Sequence, residues 1–494
     1  MGTLVEGPGW APHKLDVRPG RFPLSVEAHL LNMTAKLVPG ATTVTINARY
    51  YGLHGIVAIE SQRRGLDGEH TAELLRRCEV VVAGASIVHP DEVAGTAHGH
   101  DRVKPRLEAD GYLDVASLSV PQSGYAKPRW GFLGPYLGSE LTLRILADNA
   151  LAPGAHIEES VLRTGFEGLF DLAAQDDVSV DDLRRCRHLS NGAVRTQPDG
   201  DWLARLMCAV GISDPAKIDA TRRGTIRLLA RAIVLQPSMR ATDAFRSVVA
   251  YGAAVRTDPV VSSTPEAEAW RGSLFRHDSV GAWRELWAWL VQQISGLTAP
   301  SELVDAMVAA LPGTSLADFI AELPSTIDTD GDPASAEEQV RAQDRTTPSK
   351  DLAVLALGAL RTGELHERAR DALVGDATRP IVLSPLWMRQ WLDDRRDRAM
   401  ADVAAELVTV LLERAHRIAL KKRRFNKDGS IWLPTRVHER GELLYRIGQE
   451  GSGNVGLRLR ELANILESTG VLETDDGIWK VTDLGERLVE VGVA

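Results

Sequence analysis

Six side chains of the types that bind metal ions lie close together in one stretch of this 494-residue sequence. They are His89, Asp91, Glu92, His98, His100 and Asp101. Imidazole nitrogens and carboxylate oxygens are ligands for zinc and other divalent metals. No second cluster of such ligands accompanies them in the sequence, so an exposed polar loop is the simpler interpretation. A metal-dependent hydrolase or nuclease that uses His98, His100 and Asp101 remains open as the enzymatic alternative.

A glycine-rich stretch, Gly-Ser-Gly-Asn-Val-Gly at residues 451–456, has the spacing of a dinucleotide-binding loop. That fingerprint requires a buried strand before it and a parallel sheet around it, whereas residues 442–447 are predicted to be helical. We therefore interpret the glycines as a tight turn between two helices. Phosphate-binding Gly-Lys-Ser/Thr loops, nucleophile elbows and His-Glu-x-x-His pairs are missing from the sequence. Catalysis is thus unsupported, and we expect neither a cofactor nor a bound metal.

A compact run of positive charge is a candidate for a binding surface. It consists of Lys421, Lys422, Arg423, Arg424 and Lys427. Compact positive charge displaces counterions from nucleic-acid phosphates, which favours binding. Cations are also stabilised at the C-terminal end of a helix by the helix dipole, and this purely structural interpretation stays open.

The run stands near the end of a long predicted helix. Ser384 can cap the N-terminus of that helix, and Pro385 suits its first turn. Apolar residues recur at helical spacing from Leu392 to Ile418, and no proline or glycine interrupts the pattern before Gly429. The pattern predicts one continuous helix that leads into the C-terminal segment.

The segment after the basic run has an ordered series of predicted elements. A helix over residues 437–447 is followed by the glycine turn and by a second helix over residues 455–468. Two short runs of β-forming residues then flank Asp476-Gly477, which is a strong hairpin signal. Thr482 suits the cap of a closing helix.

This order resembles winged-helix domains with a helix-turn-helix, such as those of MarR-like and PadR-like regulators. The resemblance is confined to residues 431–494, and it implies that the helix before the first wing strand enters the major groove of DNA. It also implies DNA contacts for Arg458, Arg460 and Asn464, with Lys480 on the wing. Asp475 and Asp476 make that wing acidic, so docking to another protein stays open as an alternative function.

A second resemblance concerns the N-terminal part of the chain. Arg49-Tyr50-Tyr51 in a predicted helix, together with residues 138–146, resembles uncharacterised bacterial proteins that are encoded near restriction and phage-defence genes. The resemblance implies a subunit of a bacterial multi-protein system, such as one for antiviral defence.

The composition is that of a globular protein, with 44% hydrophobic and 25% charged residues. The net charge is −10, yet residues 395–460 carry an excess of lysine and arginine, which can orient an anionic partner toward that region. The three cysteines are far apart and form neither a disulfide framework nor a zinc motif. Neither a secretory signal nor a membrane-spanning apolar run is visible, so we expect a cytoplasmic protein.

We therefore predict a mainly α-helical, multidomain protein that ends in a winged helix. The expected segments are an N-terminal helical domain 1–150, a middle helical domain 151–330, a linker 331–350, a long-helix segment 351–430 and a winged-helix domain 431–494. The predicted function is that of a nucleic-acid-binding or adaptor subunit, with duplex DNA and partner proteins as its ligands and no membrane contact. A metal-dependent enzyme and a protein-docking scaffold are the alternatives.

Overall fold

The computed structural model of this chain describes residues 22–147, 151–375, 381–425 and 431–491, which are mainly helical, as predicted. The chain divides into two compact units that are each assembled from separated segments. The first unit contains Met1–Met33, Ala250–Ala253 and Glu268–Val455. The second unit contains Thr34–Val249, Ala254–Ala267 and Gly456–Ala494. The boundary at residues 455 and 456 lies inside the segment that was expected to form one winged-helix domain.

Up to residue 265 the structure consists of short and medium helices with two short strands. In chain order the elements are α1 (Ala28–Leu37), α2 (Arg49–Arg64), α3 (Gly68–Val88), α4 (His100–Asp110), β1 (Tyr112–Asp114), α5 (Val115–Leu118), α6 (Leu133–Thr142), α7 (Glu159–Gly165), α8 (Leu169–Ala173), β2 (Asp177–Ser179), α9 (Val180–Arg185), two 3-10 helices (Arg187–Leu189 and Asn191–Thr196), α10 (Pro198–Met207), α11 (Lys217–Leu235), α12 (Ala241–Ala250), α13 (Ala254–Thr257) and α14 (Pro259–Ser262). Strands β1 and β2 pair antiparallel.

The remaining elements include the longest helices and three further hairpins. They are α15 (Glu266–Gln292), α16 (Pro300–Ala310), α17 (Leu316–Ala321), α18 (Ala336–Ala342), α19 (Thr347–Arg361), α20 (Glu367–Val374), α21 (Pro385–Asp393), α22 (Met400–Lys421), β3 (Arg424–Phe425), β4 (Ile431–Trp432), β5 (Val437–Arg440), β6 (Leu443–Arg446), α23 (Leu459–Ser468), β7 (Leu472–Asp475), β8 (Ile478–Val481) and α24 (Asp483–Val489). The strand pairs β3–β4, β5–β6 and β7–β8 are antiparallel. None of the helices in the described segments combines the length and the apolar composition that a membrane crossing requires.

The core of the second unit is built around α2 and α3, which pack against each other. Both helices are buried over most of their length. Each fully buried leucine or isoleucine there contributes about 1.5–3 kcal/mol relative to an exposed one. The Asp67 carboxylate caps α3 by accepting hydrogen bonds from the N–H groups of Glu69 and His70, and Gly65 ends α2 in the left-handed conformation.

The core of the first unit contains the tryptophan-rich face of α15. Trp283, Trp287 and Leu290 on this helix and Ile294 just after it are all at most 2% exposed, so their helical spacing reflects core packing. Helix α19 packs on α21, and α16 packs on α22.

The predicted long helix is wrong as a continuous element. Ser384 and Pro385 do begin α21, with the Ser384 hydroxyl accepting the Trp387 N–H, but that helix ends at Asp393 and α22 begins only at Met400. The residues between them are almost all charged, so no apolar side chain continues the buried stripe. Arg395 and Arg398 instead both form ion pairs with Glu406, and the Arg395 Nε atom lies 2.5 Å from the Glu406 carboxylate.

The polar segment 331–350 is not a linker. It contains α18 and the start of α19, and Glu337 is buried where its carboxylate pairs with Arg361 at 2.6 Å. Burying two charges is tolerable only when they are paired and hydrogen-bonded. The polar composition of the segment therefore partly reflects an internal ion pair.

Residues 437–447 form a hairpin and not the predicted first helix of a helix-turn-helix. Val437 lies opposite Arg446, and Arg440 lies opposite Leu443. The backbone of Leu444 also exchanges two hydrogen bonds with Thr298, at 2.8 and 2.9 Å. This pairing with a distant segment satisfies backbone groups that a helix would have satisfied locally.

The last part of the predicted module is closer to expectation. Helix α23 begins at Leu459, the hairpin β7–β8 turns at Asp476-Gly477 as predicted, and Thr482 caps α24 through the Gly485 N–H. These elements are part of the second unit, where the Trp479 N–H donates to the Pro237 carbonyl at 3.2 Å. Whether they act as a winged helix stays a prediction.

Candidate nucleic-acid interface

The predicted basic run leads from the end of α22 into a small hairpin, β3–β4, in the first unit. We call the described residues 421–425 and 431–432 the basic hairpin. Phe425 lies opposite Ile431, and Arg424 lies opposite Trp432. Because opposed residues share one face and successive residues alternate, Phe425 and Ile431 project from the same face. They are 69% and 57% exposed, respectively.

Three cations of the basic hairpin are exposed: Lys421, Arg423 and Arg424. Within the described segments, no carboxylate lies in ion-pair distance of any of them. The Arg423 guanidinium lies 5.9 Å from the centre of the Phe425 ring, and that of Arg424 lies 5.7 Å from a Trp432 ring. Cations held beside aromatic rings in this way present charge and a stacking surface together.

Lys422 and Lys427 differ from these three residues. Lys422 is half-buried, and its Nζ atom donates to the Phe22 carbonyl at 2.9 Å. Burial lowers the pKa of Lys422. Lys427 lies outside the described residues. The structure therefore divides the predicted basic run into exposed cations and one that helps to anchor α22.

The other predicted contacts lie in the second unit. Arg458 precedes α23 with a left-handed backbone (φ 62°), and its Nη1 atom donates to the Ala41 carbonyl at 3.0 Å. Burial lowers the pKa of this guanidinium, so Arg458 is committed to holding the start of the helix. Arg460 is exposed and Asn464 is partly exposed one turn later on α23. Lys480 on β8 pairs with Asp475 at 3.4 Å.

The loop with metal-ligating side chains does not form a metal site. The His98 ring is stacked on Phe132 with centroids 4.3 Å apart, and its Nε2 atom lies 3.1 Å from the Tyr136 hydroxyl. Burial lowers the pKa of His98 to about 4. His100 instead begins α4 beside the fully exposed Asp101. Among the residues that the structure describes, no group of three or more His, Cys, Asp or Glu side chains is arranged to hold a metal.

A buried network of ionisable groups was not predicted. His54 on α2 lies between two carboxylates, with its Nδ1 atom 2.6 Å from Glu140 and its Nε2 atom 3.3 Å from Glu79. Glu79 also accepts hydrogen bonds from the Tyr125 hydroxyl and from the Phe132 N–H. Burial alone would lower the pKa of His54, but Glu140 and Glu79 outweigh it and raise this pKa to about 9.

The network joins three helices, because His54, Glu79 and Glu140 come from α2, α3 and α6. All three side chains are completely buried, and burial raises the pKa of both glutamates. A substrate in solution cannot touch side chains without exposed surface, so the arrangement is suited to holding the helices together. The only sequence signal was a histidine in the apolar stretch 50–59 of α2, and its two partners lie 25 and 86 residues further along the chain.

No protein-family model, no curated protein and no solved structure matches this chain. The resemblances to winged-helix regulators and to defence-associated proteins therefore stay predictions.

Proposed function

We propose that this protein binds nucleic acid and that the basic hairpin is its main contact surface. The observation that carries the proposal is the set of three exposed cations, Lys421, Arg423 and Arg424, without carboxylate partners among the described residues. A charge that the fold leaves uncompensated at the surface is available to phosphates, whose condensed counterions are released on binding. The exposed Phe425 ring adds a surface on which a base can stack.

The C-terminal elements offer a second proposed surface, in which α23 would act as the recognition helix of a winged helix on duplex DNA. Arg460 and Asn464 support this part of the proposal because both reach solvent on one side of α23. Arg458 supports it less, because its guanidinium is bonded to Ala41. Asp475 and Asp476 on the hairpin turn repel phosphates, and Asp475 neutralises Lys480. We therefore assign the larger contribution to the basic hairpin.

The proposed biological setting is a cytoplasmic multi-protein system of bacteria, in which the chain acts as a nucleic-acid-binding or adaptor subunit. The resemblance of residues 49–51 and 138–146 to defence-associated proteins supports this setting. The acidic remainder of the chain is the proposed surface for protein partners.

The test is a fluorescence-anisotropy titration of the full chain with duplex and single-stranded oligonucleotides over a range of salt concentrations. Affinity should fall linearly on a log–log plot, with a slope of about 0.9 per phosphate contact for duplex and about 0.7 for single strands. Absence of binding at low salt would overturn the proposal and favour a protein-docking scaffold.

Two double variants identify the surface, because each removes two positive charges. Arg423→Ala with Arg424→Ala should weaken binding about 10-fold or more at low salt and reduce the salt slope by about 2. Arg460→Ala with Lys480→Ala should change both quantities much less. The reverse result would transfer the site to α23 and the β7–β8 hairpin.

A further inference from the structure

A cleft of about 880 Å³ opens within the first unit. Its walls are the second half of α22 and the hairpin β5–β6, and Trp287 and Pro300 complete it. This volume lies in the range of cavities that bind small ligands or the anchoring side chains of a peptide. None of the candidate site residues named from the sequence lines this cleft.

The floor of the cleft is apolar. It is formed by Leu412, Ala415, Ala419, Leu433, Val437 and Leu444. One wall carries two stacked rings, since His438 and Tyr445 face each other across the hairpin with centroids 5.5 Å apart and an interplanar angle of 24°. The Nε2 atom of His438 is buried and has no hydrogen-bond partner among the described residues. A buried polar atom without a partner is costly unless a ligand or water satisfies it.

The rim of the cleft is negatively charged. Glu413, Glu439 and Glu442 line it against a single guanidinium, that of Arg417. Arg417 lies 3.9 Å from Glu413, and His416 lies 3.5 Å from Glu439. Glu442 is exposed, and within the described segments it has no ion-pair partner. A phosphate would be repelled here, so this site is distinct from the basic hairpin.

We propose that the cleft binds a segment of a partner protein in which lysine or arginine residues flank a large apolar side chain. The apolar floor and the stacked rings receive the apolar side chain, and the rim carboxylates pair with the flanking cations. Charge complementarity selects this occupant over nucleic acid and over acidic peptides. The inference stands independently of nucleic-acid binding, because it uses different residues and the opposite charge.

The test uses a fluorescein-labelled peptide of alternating lysine and leucine with one central tryptophan, titrated into the full chain. The matched control peptide carries glutamate in place of each lysine. We expect saturable binding of the basic peptide and none of the acidic one. If the basic peptide does not bind, or if both peptides bind equally, the inference is wrong.

Two pairs of substitutions separate the cleft from the general charge of the protein, since each removes two carboxylates. Glu439→Gln with Glu442→Gln should weaken peptide binding about 3- to 10-fold, as expected for exposed ion pairs. Asp475→Asn with Asp476→Asn, on the β7–β8 turn, should leave binding unchanged. Equal weakening by both pairs would mean nonspecific attraction and would overturn the proposal.

A third variant tests the floor. Ala419→Trp places a large ring on the floor of the cleft and should reduce peptide affinity at least about 10-fold if the apolar side chain of the peptide enters there. A thermal melt checks that this variant is folded. If it is not folded, the surface variant Glu439→Gln with Glu442→Gln decides whether the cleft is the binding site. Unchanged affinity in a folded Ala419→Trp variant would exclude the cleft as the site.

Discussion

His54 in the second unit and Arg423 in the first unit both carry positive charge, but their surroundings are opposite. His54 is completely buried between two carboxylates, whereas Arg423 is exposed without a carboxylate partner among the described residues. Burying a charge costs several kcal/mol unless a partner offsets it, so the pairing of His54 with its carboxylates contributes to the stability of the fold. The guanidinium of Arg423 faces solvent, so it is available to bind a ligand.

Buried arginines follow the pattern of His54. Arg361 pairs with Glu337, Arg222 pairs with Asp219, and Arg76 donates to the Ser119, Ala126 and Pro128 carbonyls. These three cations are thus paired with a carboxylate or bonded to backbone carbonyls. The comparison teaches that the number of charges in a region says little until the partner of each charge is known.

The largest expected effect is on the buried network. His54→Ala leaves Glu79 and Glu140 buried without their cation, and it should lower the free energy of unfolding by about 3–5 kcal/mol. The measurement is urea unfolding of the full chain. His70→Ala is the matched control, because His70 pairs with Asp67 at 2.9 Å on the surface, and it should cost less than about 1 kcal/mol. Equal losses from the two variants would contradict the comparison.

The next effect is the pH dependence of the same network. The pKa of His54 is raised from 6.5 to about 9 in the folded chain, so its contribution is fully present below pH 6.5 and is lost as the pH rises to about 9. The loss that His54 contributes should be on the order of 3 kcal/mol. Urea midpoints at several pH values should fall over this range in the wild type and much less in His54→Gln.

The basic hairpin is tested by Phe425→Ala, which removes an aromatic ring but no charge. If Phe425 stacks on a base, affinity for single-stranded DNA should fall about 5- to 150-fold, the range expected for one base–aromatic contact. The salt slope should stay unchanged because the phosphate contacts remain. The thermal midpoint should also stay unchanged, since the side chain is 69% exposed. A reduced slope would show that the hairpin itself had been disturbed.

The smallest effects compare two arginines of one helix region. Arg458→Ala removes the hydrogen bond to Ala41 and should lower the free energy of unfolding by about 0.5–1.5 kcal/mol. Arg460→Ala should change it by less than about 0.5 kcal/mol, because Arg460 is exposed. Thermal unfolding of the two variants, measured under the same conditions, tests whether Arg458 stabilises the fold and Arg460 does not.

Helix caps and one turn could be predicted from the sequence because their signals are local. The caps at Ser384 and Thr482 and the turn at Asp476-Gly477 each depend on a few neighbouring residues, and all three have the expected geometry. The tryptophan face of α15 was also predictable, because the helical period places those side chains on one side.

The remaining features depend on partners that are distant in sequence. Residues 437–447 have apolar positions that suit either a helix or a hairpin, and the pairing of Leu444 with Thr298 decides between them. The segment 331–350 looked like a linker because the partner of Glu337 is Arg361, beyond its end. His54 gave no sign that two glutamates from other helices surround it. Exposure of the basic hairpin likewise follows only from the pairing of β3 with β4.

The composition of the second unit from separated segments constrains the order in which it is completed during synthesis. Residues 456–491 supply α23, β7, β8 and α24 to that unit, and the Arg231 side chain donates to the Val491 carbonyl at 3.2 Å. A ribosome releases residues 34–249 long before this closing piece exists. The apolar surface that residues 456–491 cover is therefore exposed on the nascent chain until they are synthesised, and chaperones can bind it during that time.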